Sequence, residues 1–447
     1  MLQKLDDIIA APATPPGRGA VAVVRVSGPN LKPLALALTG RTLKPRYAHY
    51  LAFLAEDGSP IDRGLVLYFP APRSYTGEDM LELHCHGSPV VVEMLLKRLF
   101  QLGARPAQPG EFSRRAFLNG KLDLAQAEAV AALIESASEA AARAAQRCLE
   151  GDFSAQVKSL AESLTQLRVY VEASLDFAEE DLGFAEGEVL ARLKLVLEAL
   201  EDLRRRARVG KLLREGMSVV IIGPPNVGKS SLLNRLAERE AAIVTAIAGT
   251  TRDLITEYLS LDGLPLKVID TAGLREGKDP IECEGMRRAL KAAQSADRLL
   301  LVLDCREKEA ENAVLAQLPP AIPVTRIYNK IDLIGAPPAL EETEAPTVYL
   351  SAKTGAGIEL LKSHLKRSMG FEAETEDALA ARRRHLEALA QTEAFCQKAL
   401  EELSSQGPLE LVAENLRLAG QALGEITGEV TSDELLGKIF AEFCIGK

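Results

Sequence analysis

At 447 residues, with 47% hydrophobic and 26% charged residues, the chain has the composition of a globular protein and the length of about two to four domains. No apolar run approaches the roughly 18 residues that span a bilayer, and a formal net charge of −10 argues against a broad nucleic-acid-binding surface, so that any RNA should be bound largely through a partner. Six cysteines without CxxC spacing, and a first segment without the apolar core of a signal peptide, predict free thiols in a cytoplasmic protein with no membrane attachment.

Three kinds of pattern follow one another along the chain. Residues 1–120 combine short strand-like runs ("AVAVVRVSG", "GLVLYFPAP", "MLELHCHG") with Gly/Pro turns and one apolar helical stretch, which predicts an α+β domain. Residues 121–215 carry apolar residues at helical spacing, from Val157 to Leu175 and from Leu190 to Leu200. Residues 216–370 alternate strand-like runs ("SVVII", "PLKVID", "RLLLVLD") with helices, which predicts a parallel α/β sheet.

Helical spacing resumes after residue 371, for example from Leu409 to Leu423. The economical interpretation is one discontinuous all-α domain, residues 121–215 and 371–447, interrupted by an α/β domain inserted through two surface positions. Two unrelated helical segments are the alternative. The predicted fold class is multidomain α/β plus α.

Polar residues at predicted strand ends of the first domain suggest a small-molecule pocket. Arg25 and Lys121 are placed to hold carboxylates, and Glu82 to accept two hydrogen bonds from the amino and ring N–H groups of a pterin. Isolated charges at strand ends are usually surface charges, and that interpretation stays open from the residues alone. His84 and His86 share one face of a strand, but no second ligand pair lies nearby in the sequence, which disfavours zinc.

A phosphate-binding loop joins a strand to a helix in "SVVIIGPPNVGKSSLLNRL". Gly223 and Gly228 allow the loop to turn its N–H groups toward phosphates. Lys229 is placed to reach the β and γ oxygens, and Ser230 to offer its hydroxyl to Mg²⁺ at the start of the helix.

Two later motifs are specific for guanine. In "NKID", Asp332 can accept hydrogen bonds from N1–H and N2–H of the base, Asn329 ties the loops together, and the stem of Lys330 covers the base. In "SAK", Ser351–Lys353, a backbone N–H can meet the guanine O6, which adenine lacks. The motifs occur in order after successive predicted strands and therefore predict binding of GTP and GDP.

The two switch segments depart from those of common GTPases. "DTAG" ends a strand, where Asp270 can hold Mg²⁺ through water and the Gly273 N–H can meet the γ-phosphate. The next residue is Leu274, whereas many GTPases have a glutamine there that orients the attacking water. The predicted GTP-binding set is Asn226, Val227, Gly228, Lys229, Ser230, Ser231, Thr245, Ala246, Ile247, Ala248, Gly249, Thr250, Thr251, Asp270, Thr271, Ala272, Gly273, Asn329, Lys330, Asp332, Ser351, Ala352 and Lys353.

The first switch, "AAIVTAIAGTTRD", also predicts a cation site. Thr251 can complete the Mg²⁺ shell, while the backbone carbonyls of Thr245 and Ile247 are free to face the phosphates. Together with the side-chain oxygen of Asn226, these carbonyls would cage a monovalent cation. The simpler alternative is that Asn226 suits a turn.

The motifs "GPPNVGKSSLLN", "GTTRD" and "DTAGLR", the inserted GTP-binding domain and the last residues "FCIGK" together resemble the MnmE (TrmE) family of tRNA-modification GTPases over essentially the whole chain. The resemblance implies a K⁺-activated GTPase that dimerises through its G domains, with Mg²⁺ at Ser230 and Thr251. It places the residue that positions the hydrolytic water at Glu282, with Glu284 as the neighbour that can be confused with it. The implied K⁺ ligands are Asn226, Thr245, Ile247 and Thr250.

For the first domain the resemblance implies dimerisation and binding of a tetrahydrofolate derivative, 5-formyl- or methylene-tetrahydrofolate, by Arg25, Glu82, Lys121 and Lys447. The implied function is addition of an aminomethyl or carboxymethylaminomethyl group to C5 of the wobble uridine of certain tRNAs. The implied partner is a flavoprotein of the MnmG (GidA) family, which supplies FAD and NADH in a heterotetramer or larger complex. A non-enzymatic ribosome-assembly or signalling switch is the alternative, but it needs neither a folate domain nor a thiol.

The last residues, "AEFCIGK", raise a separate question. A capping box from Thr431 to Glu434 and an apolar stripe after it predict a final helix on the helical domain, with residues 444–447 as a free end. Glycine and lysine in the last positions disfavour lipidation, whereas a frayed tail with an incidental cysteine is a serious alternative. The resemblance implies that the tail reaches the folate pocket across the dimer, where Cys444 serves modification and not GTP hydrolysis.

Overall fold

The structure is a computed structural model that describes residues 7–136, 138–176, 186–237, 256–261, 264–270, 296–306, 322–343, 345–368, 377–430, 433–441, 443 and 446. The chain forms two compact units. The first contains Met1–Ala131, Cys148–Leu200 and Ala388–Lys447, and the second contains Ala132–Arg147 and Glu201–Glu387. The three-domain division at residues 120, 215 and 370 stays a prediction.

The first unit begins with a six-stranded sheet. Its strands are β1 (Ile8–Pro12), β2 (Gly19–Gly28), β3 (His49–Leu54), β4 (Pro60–Phe69), β5 (Asp79–Gly87) and β6 (Ala104–Pro106). They lie in the order β3-β4-β5-β2-β1-β6, and all neighbours are antiparallel except β1 and β6. Alternate residues such as Val24, Val66 and Leu83 form an apolar core on one face with the helices α1 (Lys32–Thr39) and α2 (Pro89–Gln101), because side chains of a strand alternate between its two faces.

The opposite face of this sheet carries polar side chains. The pairing of β2 with β5 sets Arg25 directly across from Glu82. The helix α3 (Glu111–Leu118) covers the β1 end of this face, where Phe112 forms a small apolar cluster with Ile9 and Ala11. The strand register therefore brings two of the predicted pocket residues together on one face.

The remaining helices are α4 (Leu124–Glu135), α5 (Glu139–Glu150), α6 (Asp152–Asp176), α7 (Glu186–Glu215), α8 (Lys229–Ala237), α9 (Ile358–Ser368), α10 (Arg383–Ser404), α11 (Leu409–Thr427) and α12 (Asp433–Ala441). In the first unit α6 packs along α11, and apolar residues at the predicted helical spacing, such as Val157 and Leu416, are buried. The helix α12 packs on α4 through Leu436 and Ile439, in one cluster with Leu124. None of the helices in the described ranges has both the length and the apolar character that a membrane crossing requires.

The second unit contains a seven-stranded sheet. Its strands are β7 (Met217–Ile222), β8 (Thr256–Leu261), β9 (Leu264–Asp270), β10 (Arg298–Asp304), β11 (Val324–Asn329), β12 (Ala339–Glu341) and β13 (Thr347–Tyr349), in the order β12-β13-β11-β10-β7-β9-β8. The centre is parallel, and β8 and β12 pair antiparallel at the edges. Every residue of β10 is buried, as expected for a central parallel strand covered on both faces. The predicted fold class, including the parallel α/β sheet, is confirmed.

The chain enters and leaves this α/β region at neighbouring positions. In α7, Arg206 Nε donates to the carbonyl of Asp377 at 3.0 Å, and the Leu379 N–H donates back to the Arg206 carbonyl at 3.4 Å. Entry and exit points that lie side by side are the geometry by which one domain is inserted into another without disturbing it.

A buried ion network fixes the start of β1 to α3 in the first unit. Arg115, whose side chain is 1% exposed, donates to Asp7 Oδ1 at 2.6 Å, and to Glu78 Oε2 and Glu111 Oε1 at 3.0 Å each. Arg105 also pairs with Glu111, at 2.6 Å. Burial alone would raise the pKa of Glu111, but hydrogen bonds from Arg105, from the Gln108 N–H and from Arg115 outweigh burial and lower that pKa.

This network predicts that the first domain loses stability in acid. A carboxylate whose pKa is lowered by folding stabilises the fold above its unfolded pKa, and this contribution is lost as the pH falls through the folded pKa. The free energy of unfolding should therefore decrease as the pH falls below about 5. At neutral pH, Glu111→Gln should cost roughly 3 kcal/mol, because the buried Arg115 and the half-buried Arg105 lose a charged partner, and the variant should show a flatter pH profile.

Urea titrations of the full chain at several pH values measure both effects. Glu139→Gln is the matched control, since its pair with Arg143 is exposed and should contribute little. A Glu111→Gln variant with wild-type stability and pH dependence would contradict the role of the network.

Candidate functional site

The phosphate loop connects β7 to α8 at the carboxyl edge of the parallel sheet. Lys229 Nζ turns back and donates to the carbonyls of Gly223 at 2.8 Å and Pro224 at 2.7 Å, which places the ammonium group within the loop. Ser230 is exposed in the first turn of α8. The N–H groups at a helix N-terminus attract phosphate, so the loop, the ammonium and the hydroxyl together suit a phosphate group.

Asn329 ties the phosphate loop to the loops predicted to bind the base. Its Nδ2 donates to the Val227 carbonyl at 2.8 Å, while its Oδ1 accepts from the N–H groups of Lys330 at 2.8 Å and Ala352 at 2.9 Å. A Cβ at Gly228, where φ is +95°, would overlap Asn329 Nδ2, so the approach requires glycine. A single buried amide thus joins three loops.

The carboxylate of Asp332 is oriented by the third loop. Ser351 Oγ donates to Asp332 Oδ1 at 2.6 Å, which leaves the other carboxylate oxygen for the base. From α8, Arg235 donates to the carbonyls of Lys353 at 2.7 Å and Ala352 at 3.2 Å, and so holds this loop in place. Sequence reasoning missed Arg235; its position in the last turn of the phosphate-loop helix was the available signal.

Asp304 at the end of β10 is a second residue that sequence reasoning missed. Its carboxylate is 5% exposed and accepts from Lys330 Nζ at 2.9 Å and from Arg306 Nη2 at 2.7 Å. The Arg306 guanidinium, assisted by Lys330, holds the pKa of Asp304 well below its usual range. Lys330 Nζ also donates to the Asn226 carbonyl at 2.7 Å, which draws the lysine stem across the space between the phosphate and base loops. The signal for Asp304 was its position as the last residue of an apolar strand.

A second cluster lies on the polar face of the sheet in the first unit. Arg25 donates to Glu82 Oε1 through Nη2 at 2.8 Å and Nε at 3.2 Å. Its guanidinium carbon lies 5.3 Å from the ring centre of Tyr75 and 5.9 Å from that of Phe112, within the range of cation–π attraction. The Tyr75 hydroxyl is hydrogen-bonded to Ser113 Oγ at 2.8 Å, and burial raises the pKa of Tyr75. Arg25 and Glu82 are therefore a positioned pair rather than independent surface charges.

Lys121 and His84 border this cluster. The stem of Lys121 lies against Gly77, in the same loop as Tyr75: a Cβ added at Gly77 would sit 3.2 Å from Lys121 Cγ. His84 Nε2 is buried without a hydrogen-bond partner among the described residues, and it lies 3.9 Å from Glu82 Oε2. That separation is too long for a hydrogen bond. A buried nitrogen that faces a carboxylate oxygen across such a gap suits a bound polar group, although sequence reasoning considered His84 only as a zinc ligand.

Several predicted site residues lie outside the described part of the chain. They are Thr245, Ala246, Ile247, Ala248, Gly249, Thr250, Thr251, Thr271, Ala272, Gly273, Leu274, Glu282, Glu284, Cys444 and Lys447, together with Thr431 and the side chain of Glu434 from the predicted capping box. Asp270 is the last residue of β9, but its side chain also lies outside the described part of the chain.

Three loops that meet at one edge of a parallel sheet, one suited to phosphates and two to guanine, place the α/β domain among the P-loop GTPases. The long helices and the first sheet extend well beyond such a domain. The chain as a whole belongs to the MnmE (TrmE) family: the family profile described as "GTP-binding protein TrmE N-terminus" matches residues 8–121, and "MnmE helical domain" matches residues 124–444.

Individual relatives match the chain from end to end. A protein of Methylococcus capsulatus named "tRNA modification GTPase MnmE" is 54% identical over 99% of each chain. A protein of the same name from Proteus mirabilis is 53% identical over 99% of each chain. Another from Nitrosococcus oceani is 55% identical over 100% of this chain and 98% of the relative. The similarity therefore includes the first sheet, the helices and the α/β domain together.

The placement of Asp332 predicts a change of base preference in Asp332→Asn. The asparagine can still accept from Ser351 but cannot accept from both guanine N–H groups as a carboxylate does. We expect GTP affinity to fall by roughly 10²-fold or more, since hydrogen bonds to charged groups contribute about 1.5–3 kcal/mol each, and we expect xanthosine triphosphate to bind better than GTP. Competition with a fluorescent nucleotide measures both affinities.

The matched control is Asp202→Asn, an exposed acid on α7 that pairs with Arg205 and Arg206 of the same helix. It should keep the wild-type affinities. If Asp332→Asn also keeps its preference for GTP, the base does not bind at this loop.

Proposed function

We propose that the protein is a GTP-hydrolysing tRNA-modification enzyme that acts with an MnmG (GidA)-type flavoprotein. The reaction installs an aminomethyl or carboxymethylaminomethyl group at C5 of the wobble uridine. The observation that carries this proposal is that one chain combines loops suited to a guanine nucleotide with a separate cluster of polar side chains on the first sheet. The name that the full-length relatives share, tRNA modification GTPase MnmE, supports the same conclusion.

For hydrolysis, the chain's own residues bind the nucleotide and orient the attacking water. Lys229 and the N-terminus of α8 bind the phosphates, while Asp332 selects guanine. Ser230 and Thr251 would hold Mg²⁺, which reduces the repulsion between phosphate oxygens. Leu274 cannot orient water, so we assign that role to Glu282, with Glu284 as the neighbouring candidate.

Asn226 supports a K⁺ site beside the phosphates. It is exposed with φ at +61°, and its backbone carbonyl is held by Lys330, which leaves the side-chain oxygen available to a cation. The other proposed ligands are Thr245, Ile247 and Thr250. A cation at this position would supply the charge that an arginine finger supplies in other GTPases. Self-association of the G domains would close the site.

The cluster around Arg25 supports binding of a tetrahydrofolate derivative, 5-formyl- or methylene-tetrahydrofolate, by the first domain. Arg25 orients Glu82 through Oε1, and Oε2 stays available to the N–H groups of a pterin. The gap between Glu82 and His84 Nε2 suits the polar edge of the pterin, and the Tyr75 ring offers a flat surface nearby. Lys121 and Lys447 would hold carboxylates, and the folate would supply the one-carbon unit for the uridine.

We further propose a homodimer in the cytoplasm that contacts tRNA largely through its flavoprotein partner. A net charge of −10 supports the dependence on a partner, because phosphate contacts need cations. Cys85, Cys148, Cys305 and Cys396 are buried thiols that form no disulfide within the described part of the chain, which supports a reducing compartment.

The K⁺ proposal predicts that GTP turnover depends on the monovalent cation. Turnover should be at least about tenfold faster in K⁺ than in Na⁺, since a cation in place of an arginine finger can contribute up to the 10³–10⁵ known for the finger. Asn226→Ala should lose this difference and keep GTP affinity. Asn234→Ala, an exposed asparagine of α8, is the control and should keep the cation effect. Equal turnover of the wild type in both salts rules out the K⁺ site.

The modification proposal predicts that Cys444→Ser abolishes wobble-uridine modification while GTP turnover stays normal. The measurement is mass spectrometry of nucleosides from tRNA of a deletion strain that carries the wild-type gene, the variant gene or neither. Modified uridine should be present only with the wild-type gene. Normal tRNA in the deletion strain would instead support a non-enzymatic switch, and normal tRNA with Cys444→Ser would make the cysteine incidental.

A further inference from the structure

An arginine of the phosphate-loop helix holds two consecutive carbonyls of the loop that is predicted to meet guanine O6. Arg235 Nε donates to the Ala352 carbonyl at 3.2 Å, and Nη2 donates to the Lys353 carbonyl at 2.7 Å. The guanidinium lies against the same turn, since a Cβ placed at Gly355 would sit 3.9 Å from Arg235 Nε. A guanidinium presents its donors in a rigid planar fork, so Arg235 fixes the orientation of both peptide groups.

The orientation of the first of these peptide groups decides which N–H the loop offers. In a planar trans peptide the N–H points opposite to the C=O, so an Ala352 carbonyl that faces α8 directs the Lys353 N–H away from that helix. The Ala352 N–H is already used, because it donates to Asn329 Oδ1 at 2.9 Å. The Thr354 N–H donates to Ser351 Oγ at 3.2 Å. The Lys353 N–H makes no hydrogen bond with the residues that the structure describes, and it is therefore the N–H of residues 352–354 that is left for a ligand.

The helix that carries Arg235 also carries the phosphate-binding ammonium. Lys229 is the first residue of α8, and Arg235 lies in its last turn, about 9 Å farther along the axis at 1.5 Å per residue. One rigid element therefore holds the phosphate loop at one end and the loop of residues 351–353 at the other.

We propose that Arg235 is the positioning residue that aims the Lys353 N–H at O6 of guanine, and that it thereby determines the preference for a base with an oxygen at this position. Asp332 faces a different edge of the base, N1–H and N2–H, and is held by Ser351 Oγ and not by Arg235. The two contributions to base selection can therefore be measured separately. This role of Arg235 rests on the GTP-binding part of the proposed function and is independent of the reaction at tRNA.

Two base analogues, each altered at one position, test the role of Arg235. In 6-thioguanosine triphosphate a sulfur, which is a weaker acceptor, replaces O6, whereas inosine triphosphate lacks only the 2-amino group. The wild type should bind GTP at least about threefold more tightly than the thio analogue, as expected for one neutral hydrogen bond. In Arg235→Ala this preference should fall below about 1.5-fold, because the N–H is no longer aimed at the atom on C6. The preference for GTP over inosine triphosphate should stay within about twofold of the wild-type value, since that contact is independent of Arg235.

Competition with a fluorescent nucleotide on the full-length protein measures all of these affinities. Arg235→Lys keeps the positive charge, but an ammonium cannot hold two carbonyls as a fork does, so its preference for GTP over the thio analogue should lie between those of the wild type and Arg235→Ala. If Arg235→Ala does not fold, Arg235→Lys decides alone. The matched control is Arg192→Ala, which removes an exposed arginine that pairs with Glu188 on α7 and should keep both preferences.

The outcomes separate the role of Arg235 from the proposed function. If the arginine variants keep the wild-type preference for GTP over the thio analogue, the role of Arg235 is overturned and GTP binding stands. If Arg235→Ala loses both preferences equally, the arginine supports the whole base site, which also overturns its assignment to O6. If the wild type prefers GTP over inosine triphosphate but not over the thio analogue, no hydrogen bond reaches O6 and only the role of Arg235 fails. If the wild type prefers GTP over neither analogue, guanine is not bound by these loops, and the GTP-binding part of the proposed function fails as well.

Discussion

The nucleotide site depends on three hydrogen bonds of one buried amide. Asn329 links the phosphate loop through the Val227 carbonyl and the base loops through the N–H groups of Lys330 and Ala352. An unsatisfied buried polar group costs about 1–3 kcal/mol, so none of these loops can move away without leaving a partner unpaired. The spacing between the Lys229 ammonium and the Asp332 carboxylate is therefore set by the protein's own hydrogen bonds.

An ion pair at the end of β10 restrains the same loops. Lys330 is held at both the Asp304 carboxylate and the Asn226 carbonyl. Because Arg306 also binds Asp304 and keeps its pKa low, Asp304 remains an anion through the neutral range and keeps the lysine in place. The same lysine therefore couples the phosphate loop to the end of β10. A cation bound near Asn226 would be placed by a loop whose backbone is already restrained.

In the first domain, charged side chains rather than a backbone-binding amide hold the elements around the polar cluster in place. Arg115 and Arg105 hold the start of α3 against the residue before β1, and this helix carries Phe112 and Ser113 to the Arg25 cluster. Buried ion pairs give geometry more than net stability, because desolvation offsets much of their attraction. Here the ion pairs fix the position of α3, which lines the polar cluster around Arg25. Loss of one charged partner would therefore disturb that cluster.

The fold class and the phosphate and base loops were predictable because their signals are local: continuous apolar runs for parallel strands, and short motifs after them. Asp304, Arg235 and the Arg115 network were not, because the contacts that show their roles reach residues distant in sequence. These are Lys330 for Asp304, the Ala352 and Lys353 carbonyls for Arg235, and Asp7 for Arg115. Asp7 and Arg115, for instance, are 108 residues apart. The final helix shows the same limit. Its apolar stripe predicted contact with the helical domain, which α4 provides, but the approach to α3 depends on the absence of a side chain at Gly110.

The pairing of positively charged side chains at both candidate sites bears on how RNA is recognised. Arg25 is paired with Glu82, Lys330 with Asp304, and Arg115 with three carboxylates. These side chains stand in the motif-bearing regions, where a sequence search for RNA contacts would look for positive charge, yet each is already committed to an internal partner. A phosphate backbone would have to compete with those carboxylates, at a net charge of −10. The pairing of these cations is consistent with the proposal that another protein supplies the surface for tRNA.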